Sequence, residues 1–236
     1  MTTYIPWLDD ESLEFPPTSE ALEYPNGLLA AGGDLTPNRL IRAYAQGIFP
    51  WFSDDEPIMW WSPTPRCVIY PEQFHASKSL RKLSRKDTYQ VRFNKNFLQV
   101  IEECSKERAD QAGTWITEDM KLAYFELHQM GFAHSVEVYR DEQLVGGLYG
   151  VGIGGIFFGE SMFSSEPNTS KLAIYKLSEL MKAKDLPLID CQVTSDHLLT
   201  LGAVEIDRDD FENTLSSNLT TYGLTKIQLS ELNNTL

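Results

Sequence analysis

Over the first sixty or so residues the hydrophobic positions follow no regular period. Stretches such as PPTSEALEYPNGLLAAGGDL and GIFPWFSDDEPIMWWSPTPR mix proline, glycine and aromatics instead. One helix stands out there: Thr36 is placed to cap it, Pro37 suits its first turn, NRLIRAYAQ supplies the turns and Gly47 ends it. CVIYP then reads as a strand. The segment after it, free of glycine and proline from His75 to Arg85, reads as a helix whose Leu80 and Leu83 face inward with Phe74. YQVRFNKNF predicts a strand, FLQVIEECSKER a helix, and ITEDMKLAYFELHQMG an amphipathic helix stopped at Gly131. From His134 the period shortens to that of strands. HSVEVYR, a turn at Asp141-Glu142, QLVGGLYGVGIGG and IFFGESMF predict successive antiparallel strands. NTSKLAIYKLSELMKAK is a helix entered at Asn168 or Thr169, PLIDCQV a buried strand, and SDHLLTLG and DRDDFENTL short helices.

This order predicts an α+β chain with a small loop-rich N-terminal domain, 1–65, and a larger domain, 66–236. The larger part has strand, hairpin, helix, strand and helix in the order of an N-acetyltransferase-like (GNAT-like) domain, with a mixed, mostly antiparallel sheet flanked by helices. With 236 residues, 42% of them hydrophobic, the chain can bury a sizeable core. No apolar run approaches the roughly 20 residues of a membrane helix, and the opening MTTYIPWLDDESLEF lacks the basic and apolar regions of a signal peptide, so a cytoplasmic protein is expected. Cys67, Cys104 and Cys191 have no C-x-x-C spacing, and the four histidines form no ligand pair, which argues against both a disulfide framework and a metal site.

The net charge of −14 excludes a generally basic nucleic-acid surface. Its distribution qualifies that. FHASKSLRKLSRK gathers Lys78, Arg81, Lys82, Arg85 and Lys86 without an acid, and taking those five cations from −14 leaves −19 for everything else. Their spacing fits one helical stripe, either a solvated face or a surface that tracks the phosphates of a structured RNA. Trp51, Phe52, Trp60, Trp61 and Trp115 lie in loop-like segments, where they either plug the core or stack on an unpaired base. GESMF lacks the second glycine of a nucleophile elbow. Glu160 and Asp190 each sit near the end of a mostly apolar strand, where an unpaired charge would cost several kcal/mol, so a paired functional use is expected. Gln192, two residues on, falls on Asp190's face of a regular strand. An acyl-CoA-dependent N-acetyltransferase is the alternative reading. Its donor would need a glycine-bearing turn before the main helix, whereas this chain has SSEPNTSK, with Glu166 and no glycine.

Taken in order, PNGLLAAGGDL, GIFPWF, MWWSPTPR, GTWIT, GFAHSVEV, LVGGLYGV, FFGESMFS and LIDCQV make the chain closely resemble the leucyl/phenylalanyl-tRNA-protein transferases, from about Pro25 to Asp210. The resemblance implies an aminoacyltransferase that moves Leu, Phe or, less efficiently, Met from aminoacyl-tRNA to proteins with N-terminal Arg or Lys, marking them for degradation by the bacterial N-end rule pathway. It places Tyr44, Trp51, Trp115, Tyr124, Glu160, Asp190 and Gln192 in the site, with Leu148, Met162, Leu177 and Met181 as candidates for an apolar pocket wall. The aminoacyl ester is already activated, so no ATP, metal or coenzyme is expected. Asp190, directly or through Gln192, then serves either as the proton acceptor for the α-amine or as an electrostatic anchor, while Glu160 helps hold the cationic side chain. The basic helix becomes a grip on the tRNA backbone.

Overall fold

The computed structural model describes residues 4–106 and 116–222. Its larger sheet has seven strands in the order β11-β5-β10-β9-β8-β7-β6: β5 (Arg66–Ile69), β6 (Gln90–Phe93), β7 (Ala133–Arg140), β8 (Gln143–Ile153), β9 (Ile156–Ser164), β10 (Ile189–Gln192) and β11 (Val204–Ile206). All neighbours are antiparallel except β9 and β10. The long β7-β8-β9 meander follows the sequence. Asp141 and Glu142 both adopt positive φ, 49° and 62°, the twist a two-residue hairpin turn requires.

A smaller sheet, β1-β2-β4-β3, is built from β1 (Trp7–Leu8), β2 (Leu28–Gly32), β3 (Phe49–Pro50) and β4 (Met59–Trp61). These strands are only two to five residues long, and the aromatic loops of the sequence conceal them. Trp60, expected in a loop, is fully buried in β4 and donates its Nε1–H to the Gly32 carbonyl at 2.9 Å. Phe52 is buried as well, so both are core residues.

Helices cover both faces of the large sheet. On one face α1 (Pro37–Tyr44), α3 (Phe97–Ser105), α4 (Glu118–Gln129) and α7 (Arg208–Tyr222) pack Leu40, Ile101, Leu127 and Phe211 against Tyr149, Val151 and Phe158. On the other, α2 (Lys78–Ser84) and α5 (Thr169–Ala183) pack Leu80, Leu172 and Leu177 against Val136, Phe157 and Ile189. The short α6 (Asp196–Leu199) follows β10. Side-chain caps form at Ser77, Asn96, Thr117 and Ser195. The expected Thr36 cap does not form: its N–H and hydroxyl both donate to Asp34, and its side chain accepts nothing from the helix. Asn168 enters α5 with φ 67° and no side-chain cap bond.

The basic helix is shorter than its sequence suggests. It ends at Ser84, with Arg85 as its cap and Lys86 past it, so only Lys78, Arg81 and Lys82 share a helical face. Among the described residues no helix is long and apolar enough to cross a membrane.

Candidate active site

The site forms where the one parallel strand pair stops pairing. β9 and β10 run in register at Phe157 with Ile189 and Phe158 with Asp190, and no pair is formed beyond. Each strand is irregular at that point. On β9, Gly159 and Ser161 oppose Gly150 and Tyr149, leaving Glu160 as the extra residue. On β10, Asp190 and Gln192 oppose Val68 and Cys67, leaving Cys191. Bulges bend strands and re-aim side chains. Between the diverging ends lies a cavity of about 240 Å³. Leu148, Phe157, Met162, Ile174, Leu177 and Ile189 wall its apolar part, and Tyr149, Glu160, Ser161, Gln192, Ser195 and His197 bring polar groups to it. Of the four wall residues expected, Leu148, Met162 and Leu177 line it, but Met181 does not: it is fully buried on α5, in the core behind. Phe157, Ile174 and Ile189 complete the wall; only the strand alternation of Phe157 and Ile189 and the place of Ile174 on the apolar face of α5 could have marked them in the sequence.

Asp190 does not face that cavity as a free carboxylate. It is completely buried and grips Arg66 with both oxygens, Nε to Oδ1 at 2.8 Å and a terminal nitrogen to Oδ2 at 2.6 Å. The other arm of Arg66 donates to the Gly47 carbonyl at 3.0 Å, and the guanidinium lies 5.0 Å and 4.5 Å from the ring centroids of Phe49 and Phe211. Sequence reasoning demanded a partner for Asp190 and missed which one. The only signal was the arginine that closes MWWSPTPR and opens the otherwise apolar β5. Gln192 also departs from regular strand geometry. Its φ is 55°, its N–H turns back to Asp190 Oδ1 at 3.0 Å, and its side chain lies on the cavity. The expectation that Asp190 and Gln192 share a face is therefore corrected by the bulge between them. Gln192 Nε2 is buried with no hydrogen-bond partner, as is the Tyr149 hydroxyl.

Glu160 has different partners. Oε1 accepts from Tyr44 at 2.7 Å and Oε2 from Tyr124 at 3.0 Å, and the two tyrosine hydroxyls are themselves in close contact. Both tyrosines are fully buried behind the carboxylate, on α1 and α4, so they meet the cavity only through Glu160. Burial pushes the Glu160 carboxyl up to about 7, against the lowering effect of the two tyrosine hydrogen bonds. The same burial, with Glu160's charge nearby, pushes all three tyrosines well above their ordinary range.

Trp51 lies outside this cavity. Half-exposed, it lines a neighbouring cleft of about 320 Å³ with Trp61, Phe49, Val193 and Glu205; its ring centre is 5.6 Å from that of Trp61, whose Nε1–H donates to the Trp51 carbonyl at 2.7 Å. Trp115 lies outside the described residues. All five cations are exposed: Lys78, Arg81 and Lys82 on α2, and Arg85 and Lys86 on the border of a cleft of about 910 Å³ with Arg92, Lys95 and Lys176 and the acids Asp87 and Glu142. At the entrance to α5, where an acyl-CoA donor would need open backbone amides, Glu166 is bound by Arg140 at 2.7 Å and by the Tyr89 hydroxyl at 2.7 Å. An acetyltransferase reading is not favoured.

The family profile described as leucyl/phenylalanyl-tRNA protein transferase matches residues 68–216, and the profile of its N-terminal domain matches 33–64. Relatives named leucyl/phenylalanyl-tRNA–protein transferase include one from Cellvibrio japonicus, 57% identical over 89% of this chain and 90% of its own length. Another, from Idiomarina loihiensis, is 54% identical over 86% of each chain. A solved structure of a functionally unknown conserved protein from Staphylococcus epidermidis matches with a TM-score of 0.40 and 15% identity, over 60% of this chain and 56% of that one. The chain therefore belongs to the leucyl/phenylalanyl-tRNA–protein transferase family, enzymes that move an aminoacyl group from tRNA to protein.

Proposed function

We propose that this enzyme moves leucine, phenylalanine or, less efficiently, methionine from tRNA to the α-amine of proteins that begin with Arg or Lys, marking them for N-end rule degradation in the bacterial cytoplasm. The observation that carries this reading is the cavity at the β9–β10 divergence, which sets an apolar wall beside a few buried polar groups. At about 240 Å³ it is below the roughly 300–1,000 Å³ of sites for drug-sized ligands, which suits one amino-acid side chain rather than a nucleotide. Leu148, Met162 and Leu177 bind that side chain. Such a wall separates substrates that differ by a methylene by only about 1–3 kcal/mol, which fits a donor set of Leu, Phe and Met, and flexible Met162 adapts to each.

The ester carbonyl then lies against those polar groups. As the tetrahedral intermediate forms, negative charge gathers on its oxygen, and the unpartnered Gln192 amide is a donor already desolvated and held by a strained backbone. Asp190 acts as an anchor: through Arg66 and the Gln192 N–H it fixes the bulge that aims Gln192. Trp51, with Trp61, offers a stacking surface for an unpaired base of the tRNA end, and Trp115 of GTWIT is a substrate-binding residue by motif alone. Lys78, Arg81, Lys82, Arg85 and Lys86 hold the tRNA backbone. The small four-stranded sheet and the large seven-stranded one support dividing the chain into domains 1–65 and 66–236, the latter of N-acetyltransferase-like design.

The test is to incubate the enzyme with radiolabelled Leu-tRNA and a model protein beginning with Arg, Lys or Ala. Label is expected on the first two. Equal label on all three, or on none, would overturn the proposal.

A further inference from the structure

We infer that Glu160 is the proton acceptor of the reaction, taking the proton that the acceptor's α-ammonium must lose before it attacks the aminoacyl ester. This rests on the transferase reading above. Asp190 and Gln192 are poorly suited. Both Asp190 oxygens are committed to Arg66, and one also accepts the Gln192 N–H in a fully buried pocket. The Gln192 carboxamide is neutral and takes no proton near neutral pH. Among the described residues, Glu160 alone is a carboxylate on the cavity wall.

The three oxygen contacts around Glu160 explain how it stores a proton. Tyr44 touches Glu160, Tyr124 touches Glu160, and the tyrosines touch each other. When the carboxyl is ionised, two hydroxyl hydrogens must serve these three contacts, and one is left without a hydrogen. A proton gained by Glu160 supplies the third. The acid donates to one tyrosine, that tyrosine to the other, and the other back to the second carboxyl oxygen, closing a ring in which every group both donates and accepts.

In the reaction the α-ammonium gives one proton to Glu160. The freed amine lone pair forms the C–N bond to the ester carbonyl carbon, and the carbonyl electron pair moves to its oxygen. As the intermediate collapses, the C–O bond to the tRNA ribose breaks, and the departing oxygen takes the second proton from nitrogen. Glu160 then releases its proton to solvent. The sum is one amide, one free ribose hydroxyl and one proton.

The charged and titratable groups facing Glu160 are Tyr44 from α1, Tyr124 from α4, Tyr149 from β8, Asp190 from β10 and Arg66 from β5, with Cys191 and His197 at the cavity. Burial outweighs the tyrosine hydrogen bonds and Arg66, while Asp190 adds to it, holding the carboxyl at about 7. That is close to the α-amine, ordinarily about 7.7–8.0, which is the match general-base transfer needs.

The experiment measures kcat and KM for an Arg-initiated acceptor from pH 5.5 to 9 with saturating Leu-tRNA. The wild type should show a limb near pH 7 in kcat. Glu160→Gln should lower kcat by about 10²–10⁴-fold and abolish that limb. An acceptor carrying an aminooxy group in place of the α-amine, weakly basic and so already unprotonated, should restore most of the loss. Tyr124→Phe keeps the carboxylate but removes both a donor to its ionised form and the hydroxyl that closes the ring around its protonated form, so the limb should persist and shift in pH. Raised KM with unchanged kcat and limb in Glu160→Gln, no rescue by the aminooxy acceptor, an unmoved limb in Tyr124→Phe, or the limb vanishing in His197→Gln would each overturn the inference. Absence of transfer by the wild type would instead overturn the transferase reading.

Discussion

Asp190→Asn should be a folding mutation before it is a catalytic one. The substitution keeps the shape of the side chain but leaves the Arg66 guanidinium, 1% exposed, without its counter-charge. What remains around that cation is the neutral amide oxygen of the new side chain, the Gly47 carbonyl and the faces of Phe49 and Phe211, and the amide NH2 now points a donor at a donor. Removing one partner of a buried ion pair costs about 3–5 kcal/mol, because the other charge stays desolvated. Against a total stability of about 5–15 kcal/mol this is a large fraction. For a domain of this size each kcal/mol shifts Tm by roughly 2–4 °C, so a fall of about 6–20 °C is expected. Urea denaturation followed by tryptophan fluorescence reads the change as a lower midpoint. The double variant Arg66→Met/Asp190→Leu removes both charges and should recover much of the lost stability while remaining inactive, since a buried pair and a well-packed apolar pair are close in energy. An Asp190→Asn midpoint within about 0.5 kcal/mol of wild type would refute this reasoning. Loss of transfer by Asp190→Asn says little about proton transfer unless it is measured well below the variant's Tm.

Glu160 predicts a stability difference of its own. Its folded pKa of about 7 lies above the ordinary 4.5, so its contribution is present at low pH and is lost as pH rises through 7. Glu160→Gln should therefore gain up to about 3 kcal/mol on wild type at pH 8 and lose that advantage below pH 5, as read by thermal melts; no pH dependence in the difference would count against the buried, uncompensated charge. His134 has the opposite sense. Burial holds it near 4 instead of 6.5, with Nε2 unpartnered, so the unfolded chain gains the proton first and stability falls as pH drops from about 6.5 to 4, by about 3 kcal/mol. His134→Gln should flatten that limb of the stability curve, and an unchanged limb would assign it to other groups. Replacing Lys82, Arg85 and Lys86 by Ala should weaken tRNA binding and reduce the log–log salt slope by roughly 2–3 while leaving the preference for Leu over Ala intact. A changed donor preference would mean that these cations do more than hold phosphate.

Much of the fold is legible because its pattern is local. The Asp141-Glu142 turn, the β7-β8-β9 meander and the helices α3, α4 and α5 follow from apolar period and turn chemistry, each decided within a few residues. The small sheet is not legible. A strand as short as Phe49–Pro50 carries no period, and its pairing with Trp60 and Trp61 is a tertiary choice. The basic helix is overextended by its composition, because nothing in LSRKD forbids another turn, and only the structure turns Arg85 and Lys86 toward β6 and α5.

The same limit applies at the site, with more consequence. Alternation assigns faces only where a strand is regular, and here both strands lose regularity at the polar residues. Glu160 is the unpaired residue of one bulge, and Gln192 follows the unpaired residue of the other. Read as a flat strand, IDCQV sends Asp190 and Gln192 to one face. In the fold, Asp190 goes to Arg66, between Phe49 and Phe211, and Gln192 goes to the cavity against Ile174 and Leu177. The irregularity that defeats the pattern also makes the site. Continued pairing of β9 with β10 would fill the space that the substrate needs and would satisfy the backbone groups now free to turn. Ending the ladder after Phe158 and Asp190 opens that space next to two carboxylates that burial treats differently, one neutralised by an arginine and fixed, the other left close to neutrality on a ring of hydroxyls. Residues of like charge on adjacent strands thus take separate tasks through their partners, and those partners, Arg66 on one side and Tyr44 and Tyr124 on the other, come from elements far away in sequence.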